Sequence, residues 1–143
     1  MGKIGAEWLG NMKFRVHTPS GHEVVMDASK DFGGEDGGPR PMELVLVALM
    51  GCTGMDVVSI LKKMRVEDFQ FEMETEYERA PDHPKVYTGI HLRYIFRGKD
   101  LPRDKIEKAV SLSQERYCSV AAMLKRVASL TYEVILEETN CWR

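Results

Sequence analysis

Between Pro41 and Met64 the chain reads PMELVLVALMGCTGMDVVSILKKM, the most apolar stretch of the sequence. Its unbroken core, Leu44 to Met55, ends at Asp56 and is shorter than the ~20 apolar residues a bilayer crossing needs. The segment is therefore expected to be a buried helix rather than a membrane span. Pro41 suits a first helical turn, Glu43 favours the positive end of the helix dipole, and Lys62, Lys63 and Arg65 favour the negative end. The β-branched content makes a buried strand the rival reading, but a run of this length favours helix. A helix apolar nearly all round must be covered on all sides. One small α+β sheet offers too little cover, so a second copy of the chain, a homodimer, is expected.

The flanking segments supply that sheet. KIGAEWLG, KFRVHTPSG and HEVVMDAS are short, partly alternating runs separated by Gly10-Asn11 and Pro19-Ser20-Gly21, which predicts a three-stranded meander. DFGGEDGGPRP is too rich in glycine and proline for regular structure. EDFQFEMETEYER alternates strictly, with Phe69, Phe71, Met73, Thr75 and Tyr77 on one face and Gln70 and four glutamates on the other, the pattern of a strand with one solvated face. KVYTGIHLRYIFRG is its partner across a PDHP turn. Pro102 opens a helix expected to run from Arg103 to about Arg116. A break follows near Tyr117-Cys118-Ser119, then a short helix from Val120 to Ala128 with Ser119 as N-cap. LTYEVILEE closes the chain as a strand. The order βββ-α-ββ-αα-β has no repeat and no alternating βαβ series, so the expected class is α+β with antiparallel pairs, residues 1–143 forming a single domain.

Composition excludes several functions. The net charge is −2 with both signs interleaved, which is no nucleic-acid footprint. The N-terminus lacks a charged segment followed by an apolar one, so no signal peptide is expected. Three widely spaced cysteines argue against a structural disulfide framework and for the reducing cytoplasm. No CxxC, HxH or HExxH spacing is present, so no metal site is expected. The Gly33-Gly34 and Gly37-Gly38 pairs precede a helix but lack the lysine of a phosphate loop, and read as a flexible rim.

The chemistry candidates are thiols. Cys52 lies mid-helix between Gly51 and Gly54. It reads either as a packed core thiol, inert in apolar surroundings, or as a reactive one to which the glycines give access. Cys118 precedes a helix start, where the dipole lowers a thiol pKa, and Arg116 is two residues away. A packed small hydrophobe at a kink is its alternative. Two such thiols, if neighbours, suffice for peroxide reduction through a sulfenic acid and a disulfide. Cys141, three residues from the C-terminus, reads as a surface thiol.

RPMELVLVALMGCTGMDVVSILKKM and, some sixty residues later, SLSQERYCSVAAMLKR together resemble the OsmC/Ohr family, the osmotically induced and organic hydroperoxide resistance proteins, in its general OsmC-like branch. The resemblance implies an α+β fold with antiparallel sheets wrapped around two central helices, in an intertwined homodimer with active sites at the subunit interface. It implies Cys52 as peroxidatic nucleophile, Cys118 as resolving thiol, a small-molecule peroxide as substrate and a dithiol reductant, which in the hydroperoxide-resistance branch is of the lipoyl type. It implies no metal and no organic cofactor. The hydroperoxide-resistance branch also holds its thiolate with a glutamate at the start of the first helix and an arginine in an early strand. Here the glutamate position is Met42, with Glu43 one residue on, and the arginine position falls near Met12. An activating pair would have to be rebuilt from Glu43 with Arg15 or Arg40. The leading expectation is a thiol peroxidase for organic hydroperoxides or hydrogen peroxide. Its alternatives are a protein binding a small apolar ligand without turnover and a purely structural stress protein.

Overall fold

A computed structural model describes residues 1–139, in two compact units, Met1–Val47 and the residues from Ala48 on. In the first, β1 (Gly5–Trp8), β2 (Phe14–His17) and β3 (Glu23–Met26) pair antiparallel in chain order, as the alternating runs predict. Both turns fall where the sequence places them. Gly10 and Asn11 adopt positive φ (97° and 49°), as does Gly21 (88°), the conformations that glycine and asparagine tolerate best. The glycine-rich loop that follows holds one short 3-10 turn, Lys30–Phe32. The loop is tied together by the buried Asp27. This carboxylate accepts hydrogen bonds from the N–H groups of Ala28 (2.7 Å), Gly37 (3.0 Å) and Glu35 (3.2 Å). These bonds, that from Gly37 foremost, hold its pKa below the ordinary carboxylate value.

Helix α1 (Pro41–Lys63) begins in the first unit and continues into the second. Asp56 does not interrupt it, and the helix spans the segment that the sequence marks from Pro41 to Lys63. By length and composition alone, this 23-residue helix, with a mean hydropathy of 2.2 over an 18-residue window, is enough to cross a membrane. Leu46, Leu49, Thr53, Val57 and Leu61 form one buried stripe at i+3/i+4 spacing. Within one chain the cover stops short of every side: Met55 is 76% exposed, and Val58 is also open to solvent.

In the second unit β4 (Gln70–Arg79), β5 (Tyr87–Gly98) and β6 (Ser129–Glu138) form one sheet in that order. The β4–β5 pair is antiparallel, as expected, but β5 and β6 are parallel, which departs from the all-antiparallel reading. The physical reason is the crossover between them. Helix α2 (Arg103–Leu112), a π-helical turn (Ser113–Tyr117) and helix α3 (Ser119–Leu124) carry the chain back to the end from which β5 starts. A single βαβ unit needs no repeating series to announce it. Central β5 buries one face, where Leu92, Tyr94 and Phe96 are fully enclosed; on the other face Ile95 is buried between the half-exposed Arg93 and Arg97. Phe96 stacks on Phe71 at 4.4 Å between ring centroids and meets Phe69 edge-on at 5.5 Å. The glutamate comb is not merely solvated. Glu76 pairs with Arg93, which pairs with Glu133 (3.3 Å), and Glu72 pairs with Arg97 (2.8 Å), which pairs with Glu137. His91 joins the ladder through Glu133 at 2.6 Å.

The two glycines of α1 are not equivalent. A Cβ at Gly54 would approach Cε of Met73 to 2.7 Å, so this glycine makes room for the tip of the Met73 side chain. A Cβ at Gly51 would meet nothing within 4 Å. Gly51→Ala is therefore expected to raise stability by about 0.5–1 kcal/mol through helix propensity alone, measured by urea unfolding. Unchanged or lower stability would mean that Gly51 serves packing after all.

Candidate active site

The two thiols that the sequence separates by 66 positions meet. Cys52 Sγ, Cys118 Sγ and a carboxylate oxygen of Asp56 all lie within 4.8 Å of one another. Cys52 and Asp56 are one helical turn apart on α1, hence on the same face. Cys118 comes from the junction after the π-helical turn. There the wider turn ends, with the Cys118 N–H bonded back to Ser113 O at 2.8 Å, and the backbone becomes extended for one residue. That residue, not Ser119, is the N-cap of α3. Its sulfur accepts the Ala121 N–H at 3.4 Å, the role a serine hydroxyl commonly fills.

The sulfurs differ in environment. Cys52 is half-buried and Cys118 is 3% exposed. The helix start was expected to make Cys118 the more acidic thiol. Instead, burial pushes it up to about 11. The Ala121 N–H works in the opposite direction, and the neighbouring Cys52 and Asp56 add to the rise. Burial outweighs the end of a six-residue helix. In a Cys52→Ser background, alkylation of Cys118 by iodoacetamide should accelerate about tenfold per pH unit from pH 7 to 10 without a plateau. A plateau below pH 9 would contradict the buried placement.

Behind the thiols lies a buried chain of polar groups that the sequence reading did not single out. Ser113 Oγ is 3.0 Å from Asp56 Oδ2 and 2.7 Å from Thr53 Oγ1. Thr53 Oγ1 is 2.6 Å from the Tyr94 hydroxyl, which is 2.6 Å from Gln114 Nε2. Its polarity follows from its ends. A carboxylate only accepts, so Ser113 donates to Asp56 and must accept from Thr53; Thr53 then accepts from Tyr94. The Gln114 amide N–H supplies the remaining donor, so every hydroxyl points its proton toward Asp56. Burial raises the Tyr94 pKa, with the Thr53 and Gln114 hydrogen bonds opposing. Lys125 fixes the π-helical turn by donating to Gln114 O. The signal that could have revealed this chain is Asp56 itself, a lone carboxylate in an apolar helix, four residues after a cysteine.

Arg15, Arg40 and Glu43 belong to the first unit and have partners there. Arg15 donates to Glu7, its opposite number across β1–β2, with contacts of 2.7 and 2.8 Å, and lies 3.8 Å from Glu23. Glu43 accepts the Arg40 N–H at 2.8 Å, half of a capping box closing the start of α1. The Arg40 guanidinium is held by Asp36 at 2.7 Å and by Gly38 O. Cys141 lies outside the described residues. Beside the cysteine helix, an open apolar groove of about 590 Å³ runs between α1 and β4, lined by Met50, Gly51, Met55, Val58, Phe71 and Met73.

Comparison with known proteins agrees with this arrangement. The chain is 40% identical over 131 residues to protein YhfA of Escherichia coli, covering 90% of this chain and 95% of that one. A hypothetical protein from Aquifex aeolicus superposes with a TM-score of 0.78 at 34% identity, over 96% of this chain and 98% of the other. The organic hydroperoxide resistance protein OsmC of Legionella pneumophila superposes with a TM-score of 0.68 at 17% identity, over 93% and 95% of the two chains, and so shares the fold. Residues 33–133, which carry α1 and its cysteine as well as the second motif, match the family described as OsmC-like protein. With both cysteine motifs inside that match, the chain belongs to the OsmC/Ohr family.

Proposed function

We propose that this protein is a thiol-dependent peroxidase that reduces organic hydroperoxides. The observation that carries the reading is the thiol pair: a half-buried Cys52 within 4.8 Å of a buried Cys118. The Cys52 thiolate attacks the peroxide O–O bond; an S–O bond forms, the O–O bond breaks, and the alkoxide leaves as the alcohol after taking a proton. Cys118 then attacks the sulfenic sulfur. An S–S bond forms, and the hydroxyl leaves as water with the Cys118 proton. A dithiol of the lipoyl type restores both thiols by exchange and becomes a disulfide. Exposure assigns the order, because peroxide reaches Cys52 more readily than the buried Cys118. The apolar groove lined by Gly51, next to Cys52 in sequence, is the feature from which we propose organic peroxides rather than hydrogen peroxide, although Cys52 is not among its lining residues. The hydroperoxide resistance named for the Legionella protein points the same way.

The test is stoichiometric. One equivalent of cumene hydroperoxide added anaerobically should consume two thiols per chain, yield cumyl alcohol and join Cys52 to Cys118 in a disulfide found by peptide mapping. Unchanged thiols would sink the reading. The same groove supports a second reading, binding of a small apolar ligand without turnover. That reading predicts saturable binding of an apolar fluorophore with no thiol loss.

The assembly we propose is a homodimer, in which a second copy covers Met55, Val58 and the groove between them. Light scattering at micromolar concentration should give twice the 16.3 kDa chain mass, and a monomer would count against it.

A further inference from the structure

We infer that Cys52, Asp56 and Cys118 form a metal-binding site in the reduced protein, for a borderline-soft divalent cation and zinc in the first place. Three side chains of the kinds zinc prefers converge from two elements, with donor atoms within 4.8 Å of one another. Tetrahedral zinc, with Zn–S of about 2.3 Å and Zn–O of about 2.0–2.2 Å, sets its donor atoms about 3.5–3.8 Å apart. Small side-chain rotations reach that spacing. Two thiolates and a carboxylate would fill three of zinc's four positions.

The surroundings are built for ligands rather than for packed thiols. The polar chain Gln114–Tyr94–Thr53–Ser113 ends by donating to Asp56, which orients this carboxylate as outer-shell groups orient metal ligands. The Ala121 N–H points at Cys118 Sγ in the same sense. Among the described residues, no hydrogen bond or ion pair joins a lysine or arginine side chain to any of the three, and Lys125 donates to Gln114 O instead. A divalent cation compensates the three anionic ligands, and each coordinating thiol releases its proton to the buffer. Neither the i, i+4 Cys–Asp spacing nor a cysteine 62 positions beyond Asp56 matches a zinc-ligand sequence pattern, so only the fold reveals the set.

This inference does not depend on peroxidase activity, and it predicts that metal shields Cys52. The experiment uses the full-length Cys141→Ser chain, reduced and stripped with chelator, titrated with Co²⁺ and then displaced with Zn²⁺. One Co²⁺ per chain should bind, with thiolate-to-metal absorption in the near ultraviolet and about two protons released at pH 7.5. Zinc should also slow alkylation of Cys52. Cys52→Ser and Cys118→Ser should each lose about half of the thiolate absorption, and Asp56→Asn should weaken binding at least about tenfold. Thermal melts establish that each variant is folded. Absent thiolate absorption in the folded parent protein, or binding unchanged in both cysteine variants, would overturn the site. Metal binding together with no peroxide consumption by the metal-stripped protein retires the peroxidase reading alone, and the opposite result retires this one.

Discussion

Cys52→Ser is expected to abolish turnover of cumene hydroperoxide with dihydrolipoamide, lowering kcat/KM by at least about a thousandfold, because a serine hydroxyl at neutral pH supplies almost no anion and no polarizable sulfur. Cys118→Ser should behave differently. Its Cys52 still attacks peroxide, so one equivalent should react in a burst and leave a sulfenic acid that dimedone traps. Steady turnover should then fall, because the disulfide that the dithiol reductant would open cannot form. The two variants together test the order of attack. If Cys118→Ser loses the burst and Cys52→Ser keeps it, the roles are reversed. That outcome requires peroxide to reach a sulfur 3% exposed and pushed up to about 11, so the geometry favours Cys52. Stopped-flow consumption of peroxide at equimolar protein separates burst from turnover.

The same comparison addresses how Cys52 is ionised. The first unit uses Arg15 for Glu7, Arg40 for Asp36 and Glu43 for the start of α1. Among the described residues, the acidic or thiol groups within 4.8 Å of Cys52 Sγ are Cys118 and Asp56. The proposed dimer and the inferred cation each offer a source of positive charge. They predict opposite effects, because a partner's basic residue speeds the burst whereas bound zinc suppresses it. A burst that is fast in metal-free protein and slow in zinc-loaded protein is the expected pattern.

Much of the fold was legible because local rules governed it. Strict alternation in β4, the Gly10-Asn11 and Gly21 turns, and Pro41 with Glu43 at the start of α1 each state their conformation within a few residues. The parallel β5–β6 pair was not legible, because strand direction depends on where α2 and α3 return the chain. That one chain leaves part of α1 open follows from its all-round hydrophobicity, but which side the sheet covers does not, because that depends on where β4 lies. At the site, both cysteines stood out through their motifs. Asp56, Thr53, Ser113 and Gln114 did not, since polar residues scattered over α1 and the π-helical turn become one chain only after folding. The acidity expected of Cys118 was wrong in sign, because sequence shows a helix start but not the depth at which it lies.

That buried chain carries the second large prediction, a loss of stability in Thr53→Val. Thr53 is fully enclosed, and valine nearly matches its shape, so no cavity forms and the cost is polar. The hydroxyl is the middle link, 2.6 Å from Tyr94 and 2.7 Å from Ser113. Without it the Tyr94 proton has no acceptor at that point, and Ser113 loses its donor while still serving Asp56. A buried group left unpaired costs about 1–3 kcal/mol, so the pair is expected to cost about 2–4 kcal/mol. In a chain of this size that lowers Tm by roughly 6–15 °C. Thr53→Ser keeps the hydroxyl and loses only a methyl group, so it should recover most of the difference. Tyr94→Phe combined with Thr53→Val should cost less than the sum of the two, since the second change removes a group the first has already orphaned. Urea unfolding of the four proteins checks this. Full additivity, or a neutral Thr53→Val, would mean that these hydroxyls do not act as one chain and that Asp56 is not held through it.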